Sequence, residues 1–207
     1  MKSIITNGGG LDNLKIIKHP TVEPKLGEVL VRWRATSLNF HDYLVAIGGI
    51  PVPADRIPMS DGAGEIIAIG EGVTKWKIGD KVMSLFFPNW IDGKPTAAKT
   101  SAISGETVNG YITEQSTISA EAITKMPNEY TYAEAATLSC AGLTAWRGLV
   151  TEGQIKPGDK VLIEGTGGMS IFGLQFALMA GATVYATTSS DEKAERLKAM
   201  GATAVAN

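Results

Sequence analysis

Along residues 1–150, apolar and polar positions alternate in short runs. SIIT, LKII and EVLVRWRAT, followed by GEIIAIG and DKVMSLF, are short apolar or alternating runs of the kind that half-buried strands show. GGG, PTVEPKLG and EGVTKWKIGD supply turns between them. SLNFHDYLVAIG is predicted to open a helix, with Asn39 as its cap and Asp42 at the third helical position, near the positive end of the helix dipole. NWIDGKPTAAKTSAISGETVNG keeps no period and reads as a long surface loop.

From about Tyr132 the pattern changes. TYAEAATLSCAGLTAWRGLV is alanine-rich and helix-compatible, and GQIKPGDK is a turn. VLIEG is a short buried strand, SIFGLQFALMAG a helix apolar on nearly every face, and ATVYATT a second strand. SDEKAERLKAMG is an amphipathic helix with a capping serine or aspartate and a glycine stop, and TAVA begins a third strand. Strand–helix–strand–helix–strand predicts a parallel sheet with right-handed crossovers. The expected fold class is therefore α/β with β: a β-rich N-terminal domain over residues 1–130 and an α/β domain over 131–207.

Composition narrows the function classes. Nineteen basic and 21 acidic residues, with no basic stripe, argue against a nucleic-acid partner. The single cysteine, Cys140, excludes an internal disulfide and suits a reducing, cytoplasmic setting. No run approaches the ~18 apolar residues of a membrane span, and MKSIITNGGG lacks the apolar stretch of a signal peptide.

The candidate chemistry starts at VLIEGTGGMS. A pyrophosphate binds where backbone N–H groups converge at a helix start, and a β-carbon there would hold the backbone away. Gly165, Gly167 and Ser170 occupy the places of a G-x-G-x-x-G fingerprint, with Thr166, Gly168 and Met169 between them. The same pattern suits an ordinary tight turn, but its place between a strand and a helix, with a second strand at βαβ spacing, fits the fingerprint. About 20 residues further on, where an NAD site places a carboxylate, the chain has Thr188 in ATTSSDEK. Thr188, Ser189 and Lys193 favour NADP(H) and leave NAD open. Read otherwise, they are a helix-capping loop and a solvated charge.

These blocks carry a resemblance. GEVLVRWRATSLNFHD, PMSDGAGEIIAIGEGVTKWKIGDKV, AATLSCAGLTAWRGL and VLIEGTGGMSIFGLQFALMAGATVYATTSSDEK, in this order, resemble the medium-chain dehydrogenase/reductase superfamily of zinc alcohol dehydrogenases and quinone oxidoreductases. The resemblance implies a GroES-like β-barrel catalytic domain, then a Rossmann cofactor domain, with the active site in the cleft between them. In the zinc branch a cysteine lies where this chain has Asn39, and Gly-His-Glu where it has Met59, Ser60 and Asp61. Asparagine and serine are poor zinc ligands, and the loop over residues 89–110 lacks the four cysteines of the structural zinc. No metal is expected. The zinc-free branch, NADPH-dependent quinone or enone reductases, shares the asparagine of SLNFHD.

By this resemblance the catalytic candidates are Asn39, which orients substrate or nicotinamide; His41, near the proton-relay position; Tyr43, a phenolic donor; Ser60 and Asp61, which line the pocket; and Thr144, near the nicotinamide. Each also has a plain structural reading, as a helix cap, surface group, packed aromatic, turn residue or helix-packing residue. Phe86, Phe87 and Trp90 can line an apolar pocket or pack in the core. The chain ends in the third strand of the first Rossmann half, so a shortened chain is expected. The reading is an NADP(H)-dependent, zinc-independent oxidoreductase acting on a carbonyl, quinone or activated alkene. The alternatives are an alcohol dehydrogenase with an irregular metal site and an inactive nucleotide-binding remnant. A small-molecule substrate is the expected partner, and a homodimer is left open.

Overall fold

A computed structural model describes residues 1–207, which divide into two compact units, Met1–Cys140 and Ala141–Asn207. In the first, β1 (Lys2–Ile5) and β2 (Lys15–Lys18) form an antiparallel ribbon. β3 (Glu28–Ser37), β4 (Asp61–Ile69), β5 (Lys81–Ser84), β6 (Gln115–Ser119) and β7 (Ile123–Lys125) form an antiparallel sheet in the order β6-β3-β4-β5-β7. The sequence pattern named no strand at β6 or β7. Both are edge strands: QSTIS is mostly polar and ITK is three residues long, so neither shows a clear period.

Val29, Val31 and Trp33 alternate inward from β3 and meet Ile66, Val82, Tyr111 and Ile123 in the core. Trp33 and Tyr111 tilt against each other at 4.6 Å and close over Gly62, where a β-carbon would lie 2.8 Å from Tyr111 Cβ. Only glycine lets β4 run beneath these rings directly after Asp61.

Helix α1 (Phe40–Ile47) starts at Asn39 and ends at Gly48, whose φ of 85° gives the left-handed C-terminal turn. The Asn39 side chain does not cap it in the expected way. The Asn39 backbone N–H donates to Asp42 Oδ2 at 2.9 Å, which frees the amide for other partners. Helix α2 (Tyr132–Ala136) opens with a reciprocal Thr131–Glu134 cap. Its fully buried Ala135 and Ala136 let it lie close on Ala63 and Met83. The alanine-rich stretch that follows is not one regular helix. Two π-helical turns, Leu138–Gly142 and Arg147–Glu152, flank α3 (Leu143–Trp146), and Gly153 N–H reaches back five residues to the Gly148 carbonyl.

In the second unit β8 (Lys160–Glu164), α4 (Gly168–Met179), β9 (Thr183–Thr187), α5 (Asp191–Ala199) and β10 (Ala204–Ala206) alternate, and the strands form a parallel sheet in the order β10-β9-β8. Ile163, Val184 and Ala186 meet Leu174 and Ala177 of α4 and Leu197 of α5. A β-rich unit followed by a parallel α/β unit is the fold class expected from the sequence. Leu174 is fully buried in this small core. Leu174→Ala is expected to cost about 3 kcal/mol, read as lost amide-exchange protection in β8 and β9; a loss under about 1 kcal/mol would show that the core collapses around the gap. No helix is long and apolar enough to cross a membrane.

Candidate active site

The polar residues of the first unit converge where β3 ends, α1 begins and β4 begins. Ser60 and Asp61 are fully buried. Asn39 Nδ2 donates to Asp61 Oδ2 at 2.9 Å and to Ser60 Oγ at 3.2 Å. Both neighbours accept, so the amide nitrogen, not the oxygen, must face them. Ser37 Oγ adds a 3.2 Å bond to Asp61 Oδ2 and reaches the Ala136 carbonyl at 3.0 Å. Asp61 Oδ1 is buried and has no partner, as is Ser139 Oγ. Burial pushes the Asp61 carboxyl up to about 6, although the bonds from Asn39 and Ser37 pull the other way. Asp61 therefore exchanges a proton near neutral pH.

Asp42 organises the cluster. Its Oδ1 accepts the Ser60 N–H at 2.8 Å, and its Oδ2 accepts the Asn39 N–H at 2.9 Å and the Ser60 hydroxyl at 3.4 Å. The sequence assigned Asp42 only to the helix start. Met59 has φ 76°, a conformation costly for a residue with a side chain. It delivers Ser60 to Asp42 while its carbonyl accepts the Tyr111 N–H at 2.9 Å. Nothing in the residue type signals that strain.

His41 sits in the first turn of α1. Its Nε2 lies 2.8 Å from Glu106 Oε2, and its Nδ1 is 3.5 Å from Asp42 Oδ1 without making a hydrogen bond. Asp42 and then Glu106 raise the imidazole above its ordinary value, against the opposing effect of burial. His41 meets Phe86 edge-on at 5.3 Å, Phe86 meets Phe87 at 4.8 Å, and Phe87 meets Trp90 at 6.0 Å. These aromatics are half-buried and form a ladder leading away from the histidine. Tyr43 stands apart, 47% exposed beside Phe40, so the fold does not bring it into the cluster. Cys140 is half-buried, and burial, with the charges of Asp61 and Asp42, pushes its thiol up to about 12. It is a thiol, not a thiolate, at neutral pH.

In the second unit Thr144 is exposed on α3. The turn Gly165–Gly167 leads from β8 into α4. Gly165 has φ 78°, and β-carbons placed on Gly165 and Gly167 would project into open space. Gly168, Met169 and Ser170 form the first turn of α4, where backbone N–H groups have no intrahelical partner. Ser170 does what the third glycine of a fingerprint would not: its hydroxyl donates to the Glu164 carbonyl at 2.8 Å. The close helix–strand approach falls instead at Gly173, where a β-carbon would lie 3.1 Å from Ile163 Cδ1. Thr166 is half-buried in the turn. Thr188, just past β9, gives its N–H to the Ala206 carbonyl and has a buried, unpaired hydroxyl. Ser189 and the Lys193 side chain are exposed. Ser190 is the helix cap, accepting the Lys193 N–H at 3.4 Å, and Asp191 is engaged by Asn207 at 2.7 Å.

Residues 25–128 match the model of the alcohol dehydrogenase GroES-like domain. Over 204 residues the chain is 45% identical to a zinc-type alcohol dehydrogenase-like protein of Schizosaccharomyces pombe, covering 96% of this chain and 59% of that protein. Among solved structures it is similar to the cobalt- and zinc-bound thermostable alcohol dehydrogenase of Pyrobaculum aerophilum (31% identity, TM-score 0.86, 100% of this chain and 65% of that one). It is also similar to the quinone oxidoreductase of Coxiella burnetii (29% identity, TM-score 0.82, 100% and 62%). The chain thus spans about three fifths of the length of these relatives. A GroES-like match over half the chain, joined to a parallel βαβαβ unit, establishes that this chain belongs to the medium-chain dehydrogenase/reductase superfamily.

Proposed function

We propose that the chain forms part of an NADP(H)-dependent, zinc-independent oxidoreductase that exchanges a hydride with a carbonyl, quinone or activated alkene. One observation carries the reading: where the zinc branch holds its metal, Asn39 turns an N–H donor between Ser60 and Asp61. An N–H donor cannot ligate a cation. Cys140 is a thiol, and no three His, Cys, Asp or Glu side chains gather into a ligand set. The donor set does not fit zinc. It fits a polar carbonyl or quinone oxygen, which hydrogen-bond donors can hold as charge grows on it.

The first turn of α4 fits a pyrophosphate, because its N–H groups lie at a helix start beside glycines with free space in front of them. A nicotinamide coenzyme, when bound, supplies or takes up the hydride. The chain's own residues do the rest. Asn39 orients a polar atom, and Asp61 and His41 hold protons for a developing oxyanion. The Phe86–Phe87–Trp90 ladder offers flat apolar surface to a conjugated substrate. Exposed Ser189 and Lys193, with Asp191 engaged elsewhere, support NADP(H) over NAD(H). The lone cysteine supports a cytoplasmic setting.

A second reading, a zinc-type alcohol dehydrogenase with an irregular metal site, draws on the 45% identity to the zinc-type relative. Metal analysis of the purified protein separates the two, and stoichiometric zinc would overturn the first. Titration with NADPH and NADH, followed by energy transfer from tryptophan, tests the coenzyme preference, and equal affinities would remove it. Binding without turnover of a simple quinone would leave a nucleotide-binding remnant. Gly167→Ala provides a sharper test. Gly167 has φ −71° and open space beyond it, so alanine fits the fold. Its methyl group would lie where the pyrophosphate must approach. NADPH affinity is expected to fall at least about tenfold with unchanged thermal unfolding. Unchanged affinity would place the coenzyme elsewhere.

A further inference from the structure

On the reading of His41 as a proton-holding group, we propose that Glu106 is its positioning residue: it anchors Nε2–H and so fixes the tautomer and orientation of the ring. Three groups face the imidazole: Asp42, Glu106 and the edge of Phe86. Asp42 cannot serve as the anchor. Its two oxygens already accept the N–H groups of Ser60 and Asn39, and it meets Nδ1 at 3.5 Å without a hydrogen bond. Glu106 alone hydrogen-bonds a ring nitrogen, at 2.8 Å.

The turn that presents Glu106 is itself fixed. The N–H groups of Glu106, Thr107 and Val108 converge on the Ile103 carbonyl at 3.0–3.2 Å, and Thr107 Oγ1 accepts the Ile103 N–H at 2.7 Å. Gly105, with φ 82°, lies against Met59, where a β-carbon would come within 3.0 Å of the Met59 nitrogen. The turn that holds Glu106 therefore packs on the strained residue that delivers Ser60. With Nε2–H anchored on Glu106, a neutral ring would point the bare Nδ1 lone pair toward the Asp42 carboxylate. A second proton, on Nδ1, relieves that clash.

Only His19 and His41 contribute imidazole signals, and His19 is held separately by Ser3 Oγ at 2.6 Å, so it is an internal control. Side-chain 15N NMR titration of the 207-residue chain reads both, with His41→Gln assigning the signals. In the native chain Nε2 of His41 is expected to stay protonated throughout. In Glu106→Gln the His41 midpoint should fall by about one pH unit and the neutral ring should populate both tautomers. Glu106→Asp should restore part of the shift, and His19 should not move. An unchanged His41 midpoint and tautomer in Glu106→Gln would overturn the assignment. So would a joint shift of both histidines with the backbone spectrum, which marks general loosening. The measurement needs neither coenzyme nor substrate, so a failure to turn over quinone would sink the oxidoreductase reading and leave this result standing.

Discussion

Replacing Asp42 with alanine is expected to lower the unfolding free energy of the first unit by about 4 kcal/mol. Asp42 is buried, and its carboxylate accepts two backbone N–H groups, from Ser60 and Asn39, at 2.8 and 2.9 Å. Alanine leaves both donors buried without acceptors, each at a cost of about 1–3 kcal/mol. Asp42→Asn keeps one acceptor but turns an amide N–H toward one of the donors, so about half the loss should remain. Urea unfolding at neutral pH measures both. A loss under about 1 kcal/mol for alanine would mean that water enters and replaces the carboxylate, and the cluster would then not be dry. The loss has a local consequence as well: Ser60 is freed, and Asn39 no longer starts the helix in the same place. Stability and site geometry rest on one side chain.

This dependence was only half legible in the sequence. Asp42 at the third helical position identifies a helix start, and a helix starts there. That its second oxygen reaches Ser60, 18 residues away, needs β4 to be brought beside α1, and no local pattern encodes that. The strong periods of β3 and β4, and the βαβαβ alternation after residue 159, were legible because burial on one face imposes them. β6 and β7 were not, since edge strands tolerate polar and short segments. The glycine turn was located correctly, but its third member was not: Ser170 ties down the end of β8, and Gly173, one helical turn later, makes the close approach. Glu106 was invisible because a lone glutamate in a loop of no period carries no signal until the fold brings it to His41.

Met59 shows why the cluster keeps its shape after its residues change. In the zinc branch a glycine stands there, and glycine adopts φ near 76° at little cost. Here a methionine is held in the same conformation. Gly105 and Gly110 supply the room, since a β-carbon on Gly110 would collide with the Met59 carbonyl. The backbone path into Ser60 and Asp61 persists although the ligand chemistry at both positions differs. Strain of about 1–3 kcal/mol held at this point fits a site in use more readily than a relict.

Asp61→Asn is expected to stabilise the first unit at pH 7.5 by up to about 3 kcal/mol and to abolish quinone reduction. The carboxyl shifts from 3.8 to about 6 on folding because burial disfavours its charge. Between those values the folded chain binds more protons at Asp61 than the unfolded chain does. Its contribution is therefore fully present below about pH 4 and is lost as pH rises to about 6. Asparagine carries no charge to bury, and its carbonyl oxygen can still accept from Ser37 and Asn39. The stability gap between variant and native chain should be small at pH 4, widen through pH 5 and 6, and level off above 7. Urea unfolding at those four pH values measures it, compared pairwise so that other carboxylates cancel. A gap that stays constant with pH would show that Asp61 is not charged at a cost in the fold. A protonatable group kept at that expense, beside an asparagine that points a donor inward, is what proton delivery to a reduced oxygen requires. The variant that folds better should then be the one that no longer turns over, and a stabilised variant retaining full activity would remove Asp61 from the chemistry.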